Sequence, residues 1–134
     1  MSFRAIPPDR RLGGRIAVVP GSFFDSVPAS ADVYLLVRVL HNWSDEDCLR
    51  ILRACSVAMQ PGSLLLVGEQ ILEPDPVRGD PTDYLLDIQM MAMFGGARSR
   101  TEEEFRSLLS EAGLVLYRVM PTGCPVSIIE AAAT

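Results

Sequence analysis

The sequence predicts an α/β fold, and three observations carry that prediction. Two apolar runs, Val33-Tyr34-Leu35-Leu36-Val37 and Leu64-Leu65-Leu66-Val67, have the composition of strands buried on both faces of a parallel sheet. Between them Cys48, Leu52, Cys55 and Met59 fall on one face of a helix, which gives the strand, helix, strand order of a crossover unit. Towards the C-terminus, residues 114–120 and 126–131 read as two strands joined by the short link from Pro121 to Pro125, an antiparallel pair.

The elements follow in order. Residues 1–14, MSFRAIPPDRRLGG, are rich in Pro, Gly and Arg without a hydrophobic period and are expected to form a flexible arm, leaving 15–134 as the folded part. Residues 15–19 are a short strand candidate stopped by Pro20-Gly21, and Phe23 and Phe24 precede a turn-rich link. The central strand is expected over residues 33–40 and ends on His41, the only histidine. Ser44 is a good N-cap, with Asp45, Glu46 and Asp47 suited to the positive end of the helix that follows. That helix stops at Pro61-Gly62. Residues 63–72 form the second buried strand, with Glu69 near its carboxyl end. After a loop containing Pro74, Pro76 and Pro81, Thr82 is expected to cap a helix reaching Phe94, ended by Gly95-Gly96. Thr101 and Glu104 have the spacing of a capping box for a helix that turns Phe105, Leu108, Leu109 and Ala112 inward and closes at Gly113.

A chain of 134 residues, 49% hydrophobic and 22% charged, fits one globular domain. The net charge of -5 argues against a nucleic-acid partner. No apolar run is long enough to span a membrane, and no apolar segment follows Met1, so a membrane or secreted location is not expected. Three cysteines, Cys48, Cys55 and Cys124, without metal-ligand spacing read as free thiols in a reducing, cytoplasmic compartment, and no metal site is expected.

A strand that runs into a loop and then a helix places His41 at the carboxyl edge of the sheet, where ligands bind in open α/β folds. Glu69, near the end of the adjacent strand, is the carboxylate that could stabilise the ring as an imidazolium. A bland reading stands beside this one: His41 caps the sheet edge and Glu69 is solvated. Cys48 and Cys55 could be offered as nucleophiles, but they share a helix face with Leu52 and read better as buried thiols. Met90, Met91 and Met93, with Phe94, suit either plain core or an adaptable wall for a flat ligand, and Trp43 is a candidate for the same wall.

The blocks HNWSDEDCLRIL, QPGSLLLVGEQIL, LLDIQMMAMFGG, SRTEEEFRSLLSEAGL and PTGCPVSIIEA, in this order, resemble the C-terminal part of the S-adenosylmethionine-dependent O-methyltransferases of small phenolic and polyketide-like molecules. The resemblance runs from about Arg15 to the end. It implies a Rossmann-like methyltransferase sheet without its first two strands, in the order 4-5-7-6, with residues 15–19 as strand 3. It also implies His41 as general base flanked by Glu69, and Trp43, Met90, Met93 and Phe94 against the acceptor. Cofactor positions fall on Ser22, Phe23 and Val37; the family's Gly-Asp-x-Phe block reads Gly21-Ser22-Phe23-Phe24 here, and Val37 stands where a lysine is common. Ser99 replaces the family's second glutamate. A glycine-rich cofactor turn and the family's N-terminal dimerisation domain find no counterpart.

Two functions remain open at this stage. One is methyl transfer to a hydroxyl of a small aromatic acceptor. The other is a non-catalytic half-domain that keeps the acceptor-side residues without the cofactor pocket. The unprotected edge of the central strand predicts self-association, as a homodimer or otherwise.

Overall fold

In a computed structural model that describes residues 14–95 and 97–134, four strands form one sheet. They are β1 (Val33–Val37), β2 (Leu64–Gln70), β3 (Leu114–Pro121) and β4 (Val126–Ala133), in the spatial order β1-β2-β4-β3. β1 and β2 are parallel, in register from Val33 opposite Leu64 to Val37 opposite Gly68. β4 is antiparallel to both β2 and β3. The order and directions are those of the expected 4-5-7-6 sheet with its C-terminal antiparallel pair. Of the expected arm over residues 1–14, all but Gly14 lies outside the described residues.

The helices are α1 (Asp45–Ala58), α2 (Pro81–Phe94) and α3 (Glu102–Glu111). α1 starts where the sequence says it should, with the Ser44 hydroxyl accepting from the amide of Asp47 at 3.2 Å. α3 carries the full capping box: Thr101 Oγ1 accepts from the Glu104 amide and Glu104 Oε2 from the Thr101 amide. α1 and α3 pack on one face of the sheet. Ile51, Leu52 and Cys55 meet Phe105, Leu108 and Leu109 over Leu65, Val67, Leu114, Leu116, Ile129 and Ala131, a single buried cluster.

Four expectations are corrected. Residues 15–19 form no strand: Ile16, Val18 and Val19 are 48–64% exposed, and the segment joins none of the sheet's ladders, so its apolar composition is not matched by a pairing edge. β1 is buried on one face only, because Val33, Leu35 and Val37 point to the side that α1 and α3 do not cover, with Leu35 62% exposed. β1 also ends at Val37, not Leu40, since Arg38 takes the left-handed conformation (φ 54°) and turns the chain into a single 3-10 turn, Leu40–Asn42. α2 begins at Pro81 with Asp80 as N-cap, its Oδ1 accepting from the Thr82 amide at 2.8 Å, because Pro81 fits the first helical position and shifts the cap one place upstream of Thr82.

Candidate active site

Parallel pairing of β1 and β2 brings their carboxyl ends side by side. Arg38 N–H still donates to Gly68 O at 2.9 Å, which continues the ladder one residue past β1. Beyond it the 3-10 turn carries Leu40 and His41 across the end of β2, where the next residue is Glu69. The bland reading of Glu69 as a solvated side chain does not hold, for it is 2% exposed.

Both oxygens of Glu69 are committed. Oε1 accepts from the backbone amides of Leu40 at 2.8 Å and His41 at 3.4 Å, and Oε2 lies 2.8 Å from His41 Nδ1. A carboxylate already accepting two amide protons is an acceptor towards the ring as well, so the proton of the neutral imidazole sits on Nδ1. Nε2 is then the free ring nitrogen, without a hydrogen-bond partner among the described residues. The His41 side chain is 16% exposed and that of Glu69 3%, so the pair interacts in a medium much less polar than water.

The carbonyl side of the same turn is held by residues 98–100. Arg98 N–H donates to His41 O at 3.0 Å. Arg100, 1% exposed, donates from Nη1 to Leu40 O at 3.0 Å and from Nη2 to Trp43 O at 2.9 Å, while Nε and Nη2 both reach Asp45 Oδ1 at 2.9 and 2.7 Å. Arg98 bridges Asp45 Oδ2 and Glu104 Oε1 at 3.0 and 2.7 Å. Burial pushes the Asp45 and Glu104 carboxyls up, but the hydrogen bonds from these guanidinium groups outweigh it and hold both below the usual carboxylate range.

A cleft of about 60 Å³ opens at this point, lined by Arg38, His41, Glu69, Gln70, Leu86, Met90 and Ser99. Of the acceptor-wall candidates it contains Met90. Met93 is 64% exposed and does not line it. Phe94 ends α2, and its side chain lies outside the described residues. Trp43 is not in the cleft; its ring packs edge-on against Phe24 at 4.8 Å and Phe23 at 6.2 Å, with the Arg50 guanidinium over Phe24. Ser22 and Phe23 therefore lie on the Trp43 side of the turn, and Val37 lies half-exposed on the open face of β1. A hollow of about 440 Å³ between α1 and the 24–29 segment is larger and is lined by Phe24, Asp25, Ser26, Val27, Arg53 and Val57 among others, but neither His41 nor Glu69 faces it.

Ser99 does stand in the cleft wall, where the resemblance puts an acid in other members. Its amide donates to Asp87 of α2, a link the sequence reading missed together with Arg100. Cys48 and Cys55 are buried, which pushes both thiols up to about 11, and the Cys48 thiol donates to Leu40 O at 3.2 Å. They are packing residues, not nucleophiles. Among the described residues no cluster of three His, Cys, Asp or Glu side chains could hold a metal ion, and no helix is long and apolar enough to cross a membrane.

As a cofactor cradle, Ser22, Phe23 and Val37 offer one hydroxyl and two apolar surfaces but no carboxylate for a ribose, so they do not make a complete nucleoside site.

The sequence model of the O-methyltransferase domain matches residues 6–115. Mitomycin biosynthesis 6-O-methyltransferase of Streptomyces lavendulae is 41% identical over 122 residues, 90% of this chain and 34% of that protein. Aclacinomycin 10-hydroxylase of Streptomyces purpurascens is 46% identical over 119 residues, 86% of this chain and 30% of that protein. An O-methyltransferase from neocarzinostatin biosynthesis, solved with S-adenosylmethionine and 2-hydroxy-5-methyl naphthoic acid, superposes with a TM-score of 0.80 at 36% identity, covering 93% of this chain and 35% of that one. The chain thus spans about a third of the length of the relatives it matches. With its sheet order and the family match in agreement, the chain belongs to the O-methyltransferase domain family.

Proposed function

We propose that this chain carries the proton-accepting side of an O-methyl transfer from S-adenosylmethionine to a hydroxyl of a small aromatic or polyketide-like acceptor, with His41 as general base. The observation that carries the reading is the His41–Glu69 pair, which leaves Nε2 free in a residue that lines the cleft. S-adenosylmethionine, the donor bound by the neocarzinostatin relative, supplies an electrophilic methyl group. The work of His41 is to take the hydroxyl proton on Nε2 as the acceptor oxygen becomes nucleophilic. Phenols titrate near ~10 and imidazoles near ~6.5, so this transfer is uphill unless the resulting imidazolium is stabilised. Glu69 does that at 2.8 Å, in a site where water screens little. Leu86 and Met90 give the cleft an apolar wall against which a flat ring can lie. The acceptor is a small molecule, with neither nucleic acid nor a membrane as partner, and the three free thiols fit a reducing cytoplasm.

A second reading has its own observation. Because Ser22, Phe23 and Val37 do not make a complete nucleoside site, the chain could be a non-catalytic half-domain that keeps the base and the acceptor wall. Calorimetry with S-adenosylhomocysteine separates the two. Stoichiometric binding, followed by methylation of a hydroxylated naphthoate that falls about 10²–10⁴-fold in His41→Ala, supports the enzyme. No heat and no turnover support the half-domain.

We also assign self-association to the β1 edge, where Val33, Leu35 and Val37 stand exposed, with no proline in residues 33–40 and Arg38 their one charge.

A further inference from the structure

We infer that Arg100 is a positioning residue for His41: its guanidinium fixes the carbonyl side of the turn that aims the imidazole, as Glu69 fixes the amide side. A single 3-10 turn has too few internal hydrogen bonds to hold a side chain on target by itself. Here its own bonds are those from Asn42 N to Val39 O and from Trp43 N to Leu40 O, both 3.2 Å. The remaining constraint comes from outside. Arg100 binds the carbonyls of Leu40 and Trp43, which flank His41 and Asn42, at 3.0 and 2.9 Å, and the amide of Arg98 binds the carbonyl of His41 itself at 3.0 Å. Three carbonyls of the 40–43 turn are thereby tied to one strip of chain, residues 98–100.

The strip is anchored in turn. Leu72 N–H donates to Arg100 O at 2.9 Å, extending the path of β2 to it, so Glu69 and Arg100 belong to one rigid frame. Burial of a guanidinium to 1% exposure is costly unless its donors are used, and here all three nitrogens are engaged. The fan of directions, to two carbonyls and to Asp45, is one that a planar fork reaches and an ammonium does not. Asp45, with its side chain 51% exposed, supplies the counter-charge from the solvent side without displacing either carbonyl. Arg100 touches neither His41's ring nor the cleft, so its effect on chemistry passes through the backbone of the turn.

This role takes its consequence from reading His41 as the general base, but its test reads the ring directly and needs no turnover. His41 is the only histidine in the chain, so ¹⁵N-histidine labelling gives one pair of ring signals. In the unsubstituted chain the Nδ1–H tautomer should dominate. Arg100→Lys should lower the ratio of Nδ1–H to Nε2–H tautomer by about tenfold and broaden the signals, the loss expected when one good hydrogen bond's worth of alignment disappears. Asp45→Asn should move the ratio in the same direction by less and serves in its place if Arg100→Lys does not fold. Leu114→Val, a core change on the outermost strand at the opposite end of the sheet, lowers stability but should leave the ring signals where they are. A folded Arg100→Lys or Asp45→Asn chain with the original tautomer ratio would overturn the assignment, as would a Leu114→Val chain that shifts the ring as far.

Discussion

Replacing Glu69 by glutamine changes one atom's chemistry in a buried site and should separate the aim of His41 from the stability of the fold. The amides of Leu40 and His41 both point at Oε1, at 2.8 and 3.4 Å, so the carbonyl oxygen of the new side chain must take that position. Its NH₂ group then faces Nδ1, where a carboxylate oxygen accepted before at 2.8 Å. The ring answers by moving its proton to Nε2, which is the wrong tautomer for a base. Stability should fall by only about 1–2 kcal/mol, the difference between a charge-assisted and a neutral hydrogen bond. Glu69→Ala, by contrast, orphans the Leu40 amide and leaves the ring unpaired in a site 2% exposed, and should cost about 3–5 kcal/mol. Urea unfolding measures both, ¹⁵N ring shifts report the tautomer, and a methyl-transfer assay should show a loss of about 10²–10⁴-fold in Glu69→Gln. Full turnover in Glu69→Gln, or a ring proton that stays on Nδ1, would refute the argument from orientation.

Three further outcomes are expected. Asp45 and Glu104 have carboxyls held low in the folded chain, so their contribution is present above the unfolded values of about 4 and is lost as pH falls through the folded ones. The urea midpoint should be level above about pH 5 and drop below about pH 4, with a shallower acid slope in Asp45→Asn; equal slopes would remove the cluster from the account. Ellman's reagent at about pH 8 should find one fast thiol, exposed Cys124, held low by its hydrogen bond with Thr122, while Cys48 and Cys55, pushed to about 11, react only on unfolding. Light scattering at micromolar concentration should show self-association that Leu35→Lys, at a position 62% exposed, abolishes without loss of fold; a monomer with fast amide exchange over residues 33–37 would reject the edge as the cause.

The three helices and the His41–Glu69 pair were legible because each leaves a periodic or positional trace, whereas the sheet order came from the resemblance to the family and not from the spacing of residues. The inward faces of α1 and α3 follow from apolar spacing, and the start of α3 from the Thr101–Glu104 box. Other features leave none. Residues 15–19 have the composition of a strand, but a strand is a pairing, and composition does not say whether a neighbour is present. The apolar run of β1 reads the same whether one face is covered or two. Arg100 lies in the stretch RSRTEEEFR, whose charge density reads as a solvated helix start. What buries it is the need of the Leu40 and Trp43 carbonyls for a donor, and that need arises only once the 3-10 turn has formed.

The placement of the base on a turn, not on the strand itself, follows from geometry. Side chains within β1 stand perpendicular to the sheet and alternate between its faces, so none can reach across the carboxyl edge where a ligand must lie. To aim a ring along that edge the chain has to leave the strand abruptly. Arg38 supplies the break, at a cost of about 1–2 kcal/mol for a left-handed residue with a Cβ. Such a turn is stable only if its freed amides and carbonyls find partners away from water, and Glu69 and residues 98–100 are those partners. The groups that compensate the broken backbone are thus the groups that aim the imidazole, so stability of the turn and alignment of the base are one property, and a substitution that loosens the first must disturb the second.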